Sequence, residues 1–268
     1  MRYKLIAVDM DGTLLDSRKK ITEATAQAVK LAGEKGAVFC LSTGRPLMAV
    51  TSFLEQLELT TPTITYNGAK IIEPRTGKTL YEQGLEQSAV IEIYELGKRL
   101  GATMCAWSKE ELWVSEINEH VERYREISGA VPKVIDDVSV LAKRGVTKFI
   151  WCDEPERISQ FARTAPRELS EGINCATSSA NLLEIYDGRV SKAAAMEFLG
   201  AYLGIEREQM IAIGDGYNDL PMLQYAGLGV AMANAAEDIK AQCGYVTVSN
   251  DEDGVAQVLY RFVIDVDD

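Results

Sequence analysis

The segment that decides the fold is Leu5-Ile6-Ala7-Val8-Asp9-Met10-Asp11-Gly12-Thr13. Its unbroken apolar run is typical of a strand buried on both faces, as in the centre of a parallel sheet. Side chains two residues apart on a strand point the same way, so Asp9 and Asp11 are expected to converge at its carboxyl end, where open α/β sheets bind ligands. Paired carboxylates repel unless a proton or cation lies between them, and Mg²⁺ prefers oxygen ligands. An acidic turn in which Gly12 supplies a positive φ is the alternative interpretation.

The composition narrows the class of protein. The chain has 268 residues, of which 47% are hydrophobic and 25% charged, as in an ordinary globular protein. Its net charge of −12 argues against a nucleic-acid or anionic-membrane partner. No run approaches membrane-spanning length. The five scattered cysteines form no Cys-x-x-Cys pair and indicate reduced thiols in a cytoplasmic protein.

Histidine use restricts the chemistry further. His120 is the single histidine of the chain and lies in a charged, helical segment. A Ser-His-Asp triad or a multi-histidine zinc site would have to be built on this one residue. The chemistry is therefore expected to rely on carboxylates, lysine, hydroxyls and backbone amides.

Alternation of strands and helices predicts the fold class. Strands are expected at 5–8, 37–41 and 62–66, with helices at 22–35 and from Pro46 to about Glu58, which implies an α/β fold with a parallel sheet. From 83 to 187 the pattern changes to helices and hairpins, which indicates an inserted α+β module with a mostly antiparallel sheet. The alternation resumes afterwards, including a helix expected over 217–225. We therefore assign residues 1–82 and 188–268 to a core domain and residues 83–187 to the insertion.

Polar residues follow two more of the predicted core strands. Thr43 follows the second strand in Ser42-Thr43-Gly44-Arg45, and Asp215 lies in Gly214-Asp215-Gly216-Tyr217-Asn218-Asp219. Magnesium is held by few carboxylates, which Asp9, Asp11 and Asp215 supply. Lys192 lies at the start of a helix, where a cation opposes the helix dipole, so contact with a bound phosphate explains it better than helix stability.

Residues 9–15, 42–45, 192 and 214–219 resemble the four motifs of the haloacid dehalogenase superfamily. The insertion, preceded by Asn67-Gly68-Ala69, resembles that of the Cof-type IIB subgroup. The resemblance implies a Rossmann-like core with an inserted C2B cap, which would close over the site, and a Mg²⁺-dependent phosphatase acting on small phosphomonoesters, sugar phosphates above all. Ala193 and Ala233 depart from the glycines that are usual in the family.

The resemblance also implies roles for individual residues. Asp9 would be the nucleophile that forms an aspartyl-phosphate, and Asp11 would protonate the leaving alkoxide and later deprotonate water. Phosphoryl oxygens would be bound by Met10, Thr43, Gly44, Lys192 and Asn218. Asp9, the Asp11 backbone carbonyl and Asp215 would hold Mg²⁺, and Asp219 would orient a metal-bound water or Lys192.

The implied partner is a small phosphorylated metabolite, bound by a monomer or weak homodimer. Two other functions remain open at this point. A phosphomutase or phosphotransferase would use the same motifs but pass the phosphoryl group to a second substrate. A phosphoaspartate signalling domain also clusters acids, threonine, lysine and magnesium, but it would need its aspartate at the third strand, where this chain has Asn67.

Overall fold

The chain folds into two compact units. The computed structural model describes residues 2–265. One unit is built from the residues up to Tyr81 and from Ser191 onward, and the other is Glu82–Val190. The second unit thus interrupts the first in sequence.

Helices and strands are numbered in chain order. The strands are β1 (Leu5–Val8), β2 (Val38–Leu41), β3 (Thr63–Thr65), β4 (Lys70–Glu73), β5 (Lys78–Glu82), β6 (Thr103–Ser108), β7 (Glu111–Val114), β8 (Pro132–Val134), β9 (Lys148–Cys152), β10 (Ile173–Ser179), β11 (Leu182–Asp187), β12 (Met210–Gly214), β13 (Leu228–Ala231) and β14 (Tyr245–Val246). The helices are α1 (Glu23–Glu34), α2 (Thr51–Gln56), α3 (Gln87–Leu100), α4 (Glu119–Ser128), α5 (Val138–Arg144), α6 (Pro155–Glu168), α7 (Lys192–Leu203), α8 (Leu220–Tyr225), α9 (Glu237–Lys240) and α10 (Gly254–Leu259).

The first unit is organised around a parallel sheet. Its strand order is β14-β13-β12-β1-β2, so β1 is an interior strand between β12 and β2. Leu5 pairs with Met210 on one side and with Val38 on the other, both in parallel register. Alternate residues of β1 enter two apolar clusters, one shared with α1 and α10 and the other with α7 and α8. The predicted α/β fold with a parallel core sheet is confirmed.

The third strand departs from the expected arrangement. β3 belongs to a separate three-stranded sheet with β4 and β5, and pairs antiparallel with β4. It meets the main sheet through a parallel bridge between Ser42 and Ile64. β3 has three residues, and the backbone turns left-handed at Tyr66, so the strand ends before a longer ladder forms. The third strand was therefore wrongly placed in the core sheet.

Two helix starts were also predicted wrongly. Pro46 has an extended backbone (ψ 161°) and precedes a 3₁₀ turn at Leu47–Ala49, so α2 begins only at Thr51. The helix expected from Tyr217 begins at Leu220, because the preceding residues form a polar loop held by the Asp219 side chain. The helix thus begins later than predicted in both places, after the 3₁₀ turn that follows Pro46 in α2 and after the polar loop in α8.

The second unit contains a six-stranded sheet in the order β10-β11-β9-β6-β7-β8. All described neighbours pair antiparallel except β7 and β8. One face carries Met104, Phe149, Trp151, Leu183 and Ile185 and packs on α3, α5 and α6. β8 is a short strand that the sequence analysis missed. Within residues 2–265, no helix combines the length and apolarity that a membrane crossing requires.

Candidate active site

Asp9 lies at the carboxyl end of β1 and is 6% exposed. Its Oδ1 accepts a hydrogen bond of 2.5 Å from Nζ of Lys192, the first residue of α7. The hydroxyl of Ser191 caps that helix by accepting from the backbone N–H of Ala194 at 3.0 Å. Lys192 is fully buried, although a cation at a helix amino terminus opposes the helix dipole. Direct pairing with carboxylates offsets that repulsion and the cost of burial.

Asp219 is the second partner of Lys192. Its Oδ1 accepts from Nζ of Lys192 at 2.5 Å. Its Oδ2 accepts from the backbone N–H groups of Asp215 and Gly216, at 3.1 and 2.8 Å. One carboxylate thus fixes both the lysine and the loop that follows β12.

Asp215 is held at the same edge of the sheet by the loop after β1. Thr13 donates from Oγ1 to Oδ1 of Asp215 at 2.8 Å. Gly12 has φ 85°, and a Cβ built there would lie 2.4 Å from Asp215 Oδ2. Glycine is therefore required both for the turn and for the close approach of the two loops.

Burial and the repulsion between neighbouring carboxylates dominate the electrostatics of the cluster formed by Asp9, Asp215, Asp219 and Lys192. Burial, together with the carboxylates of Asp219 and Asp215, raises the pKa of Asp9 to about 7 despite the opposing effect of Lys192. Burial likewise raises the pKa of Asp215. Burial lowers the pKa of Lys192, but its two carboxylate partners outweigh burial and raise it overall. One lysine faces three carboxyl groups, so a further cation would be stabilised here.

The donor set fits a hard divalent cation. Ligand oxygens of Asp9, Asp215 and Asp219 all lie within 4.8 Å of one another. An oxygen-only set of few carboxylates is the environment in which Mg²⁺ binds, completing its shell with water and substrate. Since Asp219 is engaged by Lys192 and two backbone amides, Asp9 and Asp215 are the carboxylates better placed to hold the ion directly.

Asp11 has a different environment from Asp9. Its carboxylate accepts two hydrogen bonds from Arg45, at 2.8 and 2.7 Å, and one from Lys19 at 2.9 Å. Burial raises the pKa of Asp11, but these hydrogen bonds and the two positive charges outweigh it and lower the pKa overall. Its side chain is not one of the three clustered carboxylates. The structure therefore separates the two aspartates that the sequence places side by side.

The remaining predicted ligands lie on neighbouring loops. Met10 and Thr43 are buried, and the Thr43 hydroxyl accepts from the backbone N–H of Arg45 at 3.2 Å. Asn218 is exposed and donates from Nδ2 to Oδ1 of Asn67 at 3.1 Å. The backbone N–H of Asn67 donates to the carbonyl of Thr43 at 2.9 Å, so Asn67 links the loops that carry Thr43 and Asn218.

Sequence reasoning assigned no role to four residues that contact the predicted site: Thr13, Lys19, Arg45 and Asn67. Arg45 directly follows the Thr43–Gly44 pair, and Asn67 follows a strand, so the strand-end argument that selected Thr43 applied equally to both. Lys19 had no such signal, since it lies in a polar loop that contacts Asp11 only in the folded chain.

Comparison with known proteins agrees with this architecture. A family model of haloacid dehalogenase-like hydrolases matches residues 6–259. YxeH of Bacillus subtilis, named provisionally as a phosphatase, is 32% identical over 98% of this chain and 99% of its own. YitU of the same organism, a 5-amino-6-(5-phospho-D-ribitylamino)uracil phosphatase by name, is 29% identical over 96% and 97% of the two chains.

Solved structures show the same fold over nearly the full chain. TM0651 from Thermotoga maritima has a TM-score of 0.88 and 29% identity, covering 97% of each chain. BT4131, described as a subclass IIB sugar phosphatase of the superfamily, has a TM-score of 0.81 and 25% identity, covering 97% of this chain and 99% of its own. On the family match and these similarities, the chain belongs to the haloacid dehalogenase-like hydrolases and is an enzyme of that family.

Proposed function

We propose that this enzyme is a Mg²⁺-dependent phosphatase that hydrolyses small phosphomonoesters, sugar phosphates foremost, through an aspartyl-phosphate on Asp9. The observation that carries the proposal is the position of Asp9, enclosed at the end of β1 and paired with Lys192 beside Asp215. A buried carboxylate next to a fixed cation is suited to attack on an anionic ester. This arrangement therefore favours a catalytic role for Asp9 over the alternative of an acidic turn with a purely structural role. The relatives named as phosphatases and the IIB sugar phosphatase of the same fold support the proposed reaction and substrate class.

In the first step, a carboxylate oxygen of Asp9 forms a bond to phosphorus as the bond from phosphorus to the ester oxygen breaks. Asp11 would have to be in its acid form at this step, which requires its pairing with Arg45 and Lys19 to loosen when the substrate binds. It then gives its proton to the departing alkoxide, so the product leaves as an alcohol. Lys192 balances negative charge on the transferring group. When bound, Mg²⁺ would reduce the repulsion between the Asp9 carboxylate and the phosphoryl oxygens.

In the second step, water attacks the phosphorus of the aspartyl-phosphate and Asp11 takes a proton from that water. The bond between phosphorus and Asp9 breaks, which returns the free carboxylate and releases inorganic phosphate. The Thr43 hydroxyl, the Gly44 and Met10 backbone amides and the Asn218 amide would donate to the phosphoryl oxygens throughout. Asp219 would act by holding Lys192 in place, as its hydrogen bond suggests.

Residues 83–187 are proposed to act as the C2B cap that selects the organic part of the substrate. Relatives of similar identity bear the names of different substrates, so the substrate has to be measured rather than inherited. A panel of sugar phosphates, phosphoglycerates and nucleotides, ranked by kcat/KM with Mg²⁺, tests the proposal. Release of inorganic phosphate supports it, while an isomerised phosphorylated product would indicate a phosphomutase. No turnover of any ester with Mg²⁺ would contradict it.

A further inference from the structure

Three consecutive residues after β3 have a left-handed backbone, with φ of 52° at Tyr66, 57° at Asn67 and 99° at Gly68. Non-glycine residues adopt this conformation rarely, and asparagine tolerates it better than most because of its short polar side chain. Strained backbone persists where surrounding contacts impose it, and such segments concentrate at functional sites. The contacts of Asn67 show what this turn does.

The backbone of the turn is joined to the Thr43–Arg45 loop. The N–H of Asn67 donates to the carbonyl of Thr43 at 2.9 Å, and the N–H of Tyr66 donates to the carbonyl of Arg45 at 3.2 Å. The Asn67 side chain lies against Gly44, where an added Cβ would be 3.0 Å from Asn67 Oδ1. The turn therefore fixes the loop that carries Thr43.

The turn also lies against the start of α7. A Cβ on Gly68 would be 2.1 Å from the carbonyl oxygen of Ser191 and 2.9 Å from the backbone nitrogen of Lys192. Glycine allows this approach, so one turn contacts both the Thr43 loop and the helix that begins with Lys192.

The side chain of Asn67 makes the contact that bears on chemistry. Its Oδ1 accepts from Nδ2 of Asn218 at 3.1 Å. An amide nitrogen carries two N–H groups, so this bond occupies one and leaves the second for a phosphoryl oxygen. Without the acceptor, the Asn218 amide could rotate and present its carbonyl oxygen, which repels a phosphate.

Building on the proposed function, we propose that Asn67 is a positioning residue that holds the Asn218 amide with its N–H groups toward the bound phosphoryl group. Asn67 acts through Asn218 and does not itself react. The left-handed backbone of Asn67 places its Oδ1, the acceptor, where it orients Nδ2 of Asn218, the donor from another loop.

The test variant is Asn67→Gly, which removes the acceptor while allowing the left-handed backbone. Glu58→Gly is the matched control, since Glu58 has φ 53°, is exposed and lies outside the site. We expect Asn67→Gly to keep the unfolding temperature, to lower kcat/KM at least tenfold and to weaken the binding of inorganic phosphate at least fivefold, measured by calorimetry with Mg²⁺. Glu58→Gly should leave kcat/KM and phosphate affinity unchanged.

A double-mutant cycle with Asn218→Ala separates positioning from a general structural role. If Asn67 acts through Asn218, the double variant binds phosphate and turns over substrate within about threefold of Asn218→Ala alone. The proposal would be overturned if the losses of the two single variants multiply in the double variant, or if Asn67→Gly leaves the phosphate affinity unchanged. Wild-type protein that binds phosphate without hydrolysing esters would contradict the proposed function but leave this inference to stand on the binding data. Wild-type protein that does neither would contradict both.

Discussion

Lys192 Nζ lies 2.5 Å from Asp9 Oδ1, although the two residues are 183 positions apart in the chain. The lysine is fully buried, and the same nitrogen donates to Asp219. A cation enclosed by two carboxylates holds the proposed nucleophile in one place. Lys192 does not neutralise this cluster, because Asp215 adds a third carboxyl group. Burial, with smaller contributions from Asp219 and Asp215, keeps the pKa of Asp9 raised to about 7 despite Lys192.

The raised pKa of Asp9 makes stability depend on pH. In the absence of metal the folded protein keeps a proton on Asp9 up to about pH 7, whereas the unfolded chain loses it near the ordinary value of 3.8. The contribution of Asp9 to the free energy of unfolding is therefore present below the unfolded pKa and is lost as the pH rises through the folded pKa. We expect Asp9→Asn to remove this dependence and to be more stable than wild type above pH 7.

Urea unfolding with EDTA at several pH values between 4 and 8 measures this difference. Asp136→Asn, which changes an exposed carboxylate of the second unit, serves as the control and should follow the wild-type curve. If the free energy of unfolding of Asp9→Asn changes with pH in the same way as that of wild type, the pKa of the Asp9 carboxyl is not raised as described.

The same substitution tests the nucleophile. Asn cannot form the acyl phosphate through a carboxylate oxygen, so Asp9→Asn should leave less than ~1% of wild-type phosphatase activity while the protein stays folded. Steady-state kinetics on the best substrate of the panel, together with circular dichroism, gives both quantities. Activity above that level in a homogeneous preparation would exclude Asp9 as the nucleophile.

Thr43 tests the phosphate site. Loss of one hydrogen bond to a charged phosphoryl group should cost ~1–3 kcal/mol of transition-state stabilisation, a fall of roughly 5- to 150-fold in kcat/KM for Thr43→Ala. Thr43→Ser keeps the hydroxyl and should retain most of the activity. Equal losses in the two variants would mean that packing of this buried side chain matters rather than its hydroxyl.

Metal binding can be followed without turnover. Because a ligand that binds only the folded state stabilises it, added Mg²⁺ should raise the unfolding temperature of wild type in a concentration-dependent way. Asp215→Asn should lose most of this response, and Asp136→Asn should keep it. A full magnesium response in Asp215→Asn would remove Asp215 from the metal ligands.

Arg45 offers a test of the proton-transfer role of Asp11. Its two hydrogen bonds help to lower the pKa of that carboxyl, so Arg45→Met should raise the pKa. Leaving-group protonation needs the acid form of Asp11 in the substrate complex, so the alkaline limb of the pH profile of kcat, which reports that complex, should move to higher pH. Lys19→Met, which removes one hydrogen bond of a largely exposed side chain, should cause a smaller shift in the same direction. An unmoved profile in Arg45→Met would separate Arg45 from proton transfer.

Several helices of both units could be predicted from local sequence alone. Helices α3 and α6 are amphipathic, and Thr22 caps α1 as its residue type suggests. The sheet to which the third strand belongs and the start of α2 could not be predicted, because they depend on where the backbone turns at Tyr66 and on the 3₁₀ segment that follows Pro46. In each case, the local sequence permits more than one backbone conformation, and contacts with the rest of the chain select the one that is observed.

The sequence by itself determined which loops meet at one edge of the sheet, because parallel strands end at a common edge and Asp9, Thr43 and Asp215 all follow such strands. Only the tertiary structure decided how these groups are paired. It placed Lys192 between two carboxylates and Arg45 on Asp11. Burial raises the pKa of Asp9 despite Lys192, whereas Arg45 and Lys19 lower the pKa of Asp11 despite burial, so the two neighbouring aspartates have pKa values shifted in opposite directions. Spacing along the chain fixes the face of a strand on which a side chain lies, whereas burial and charge partners come from residues far away in sequence.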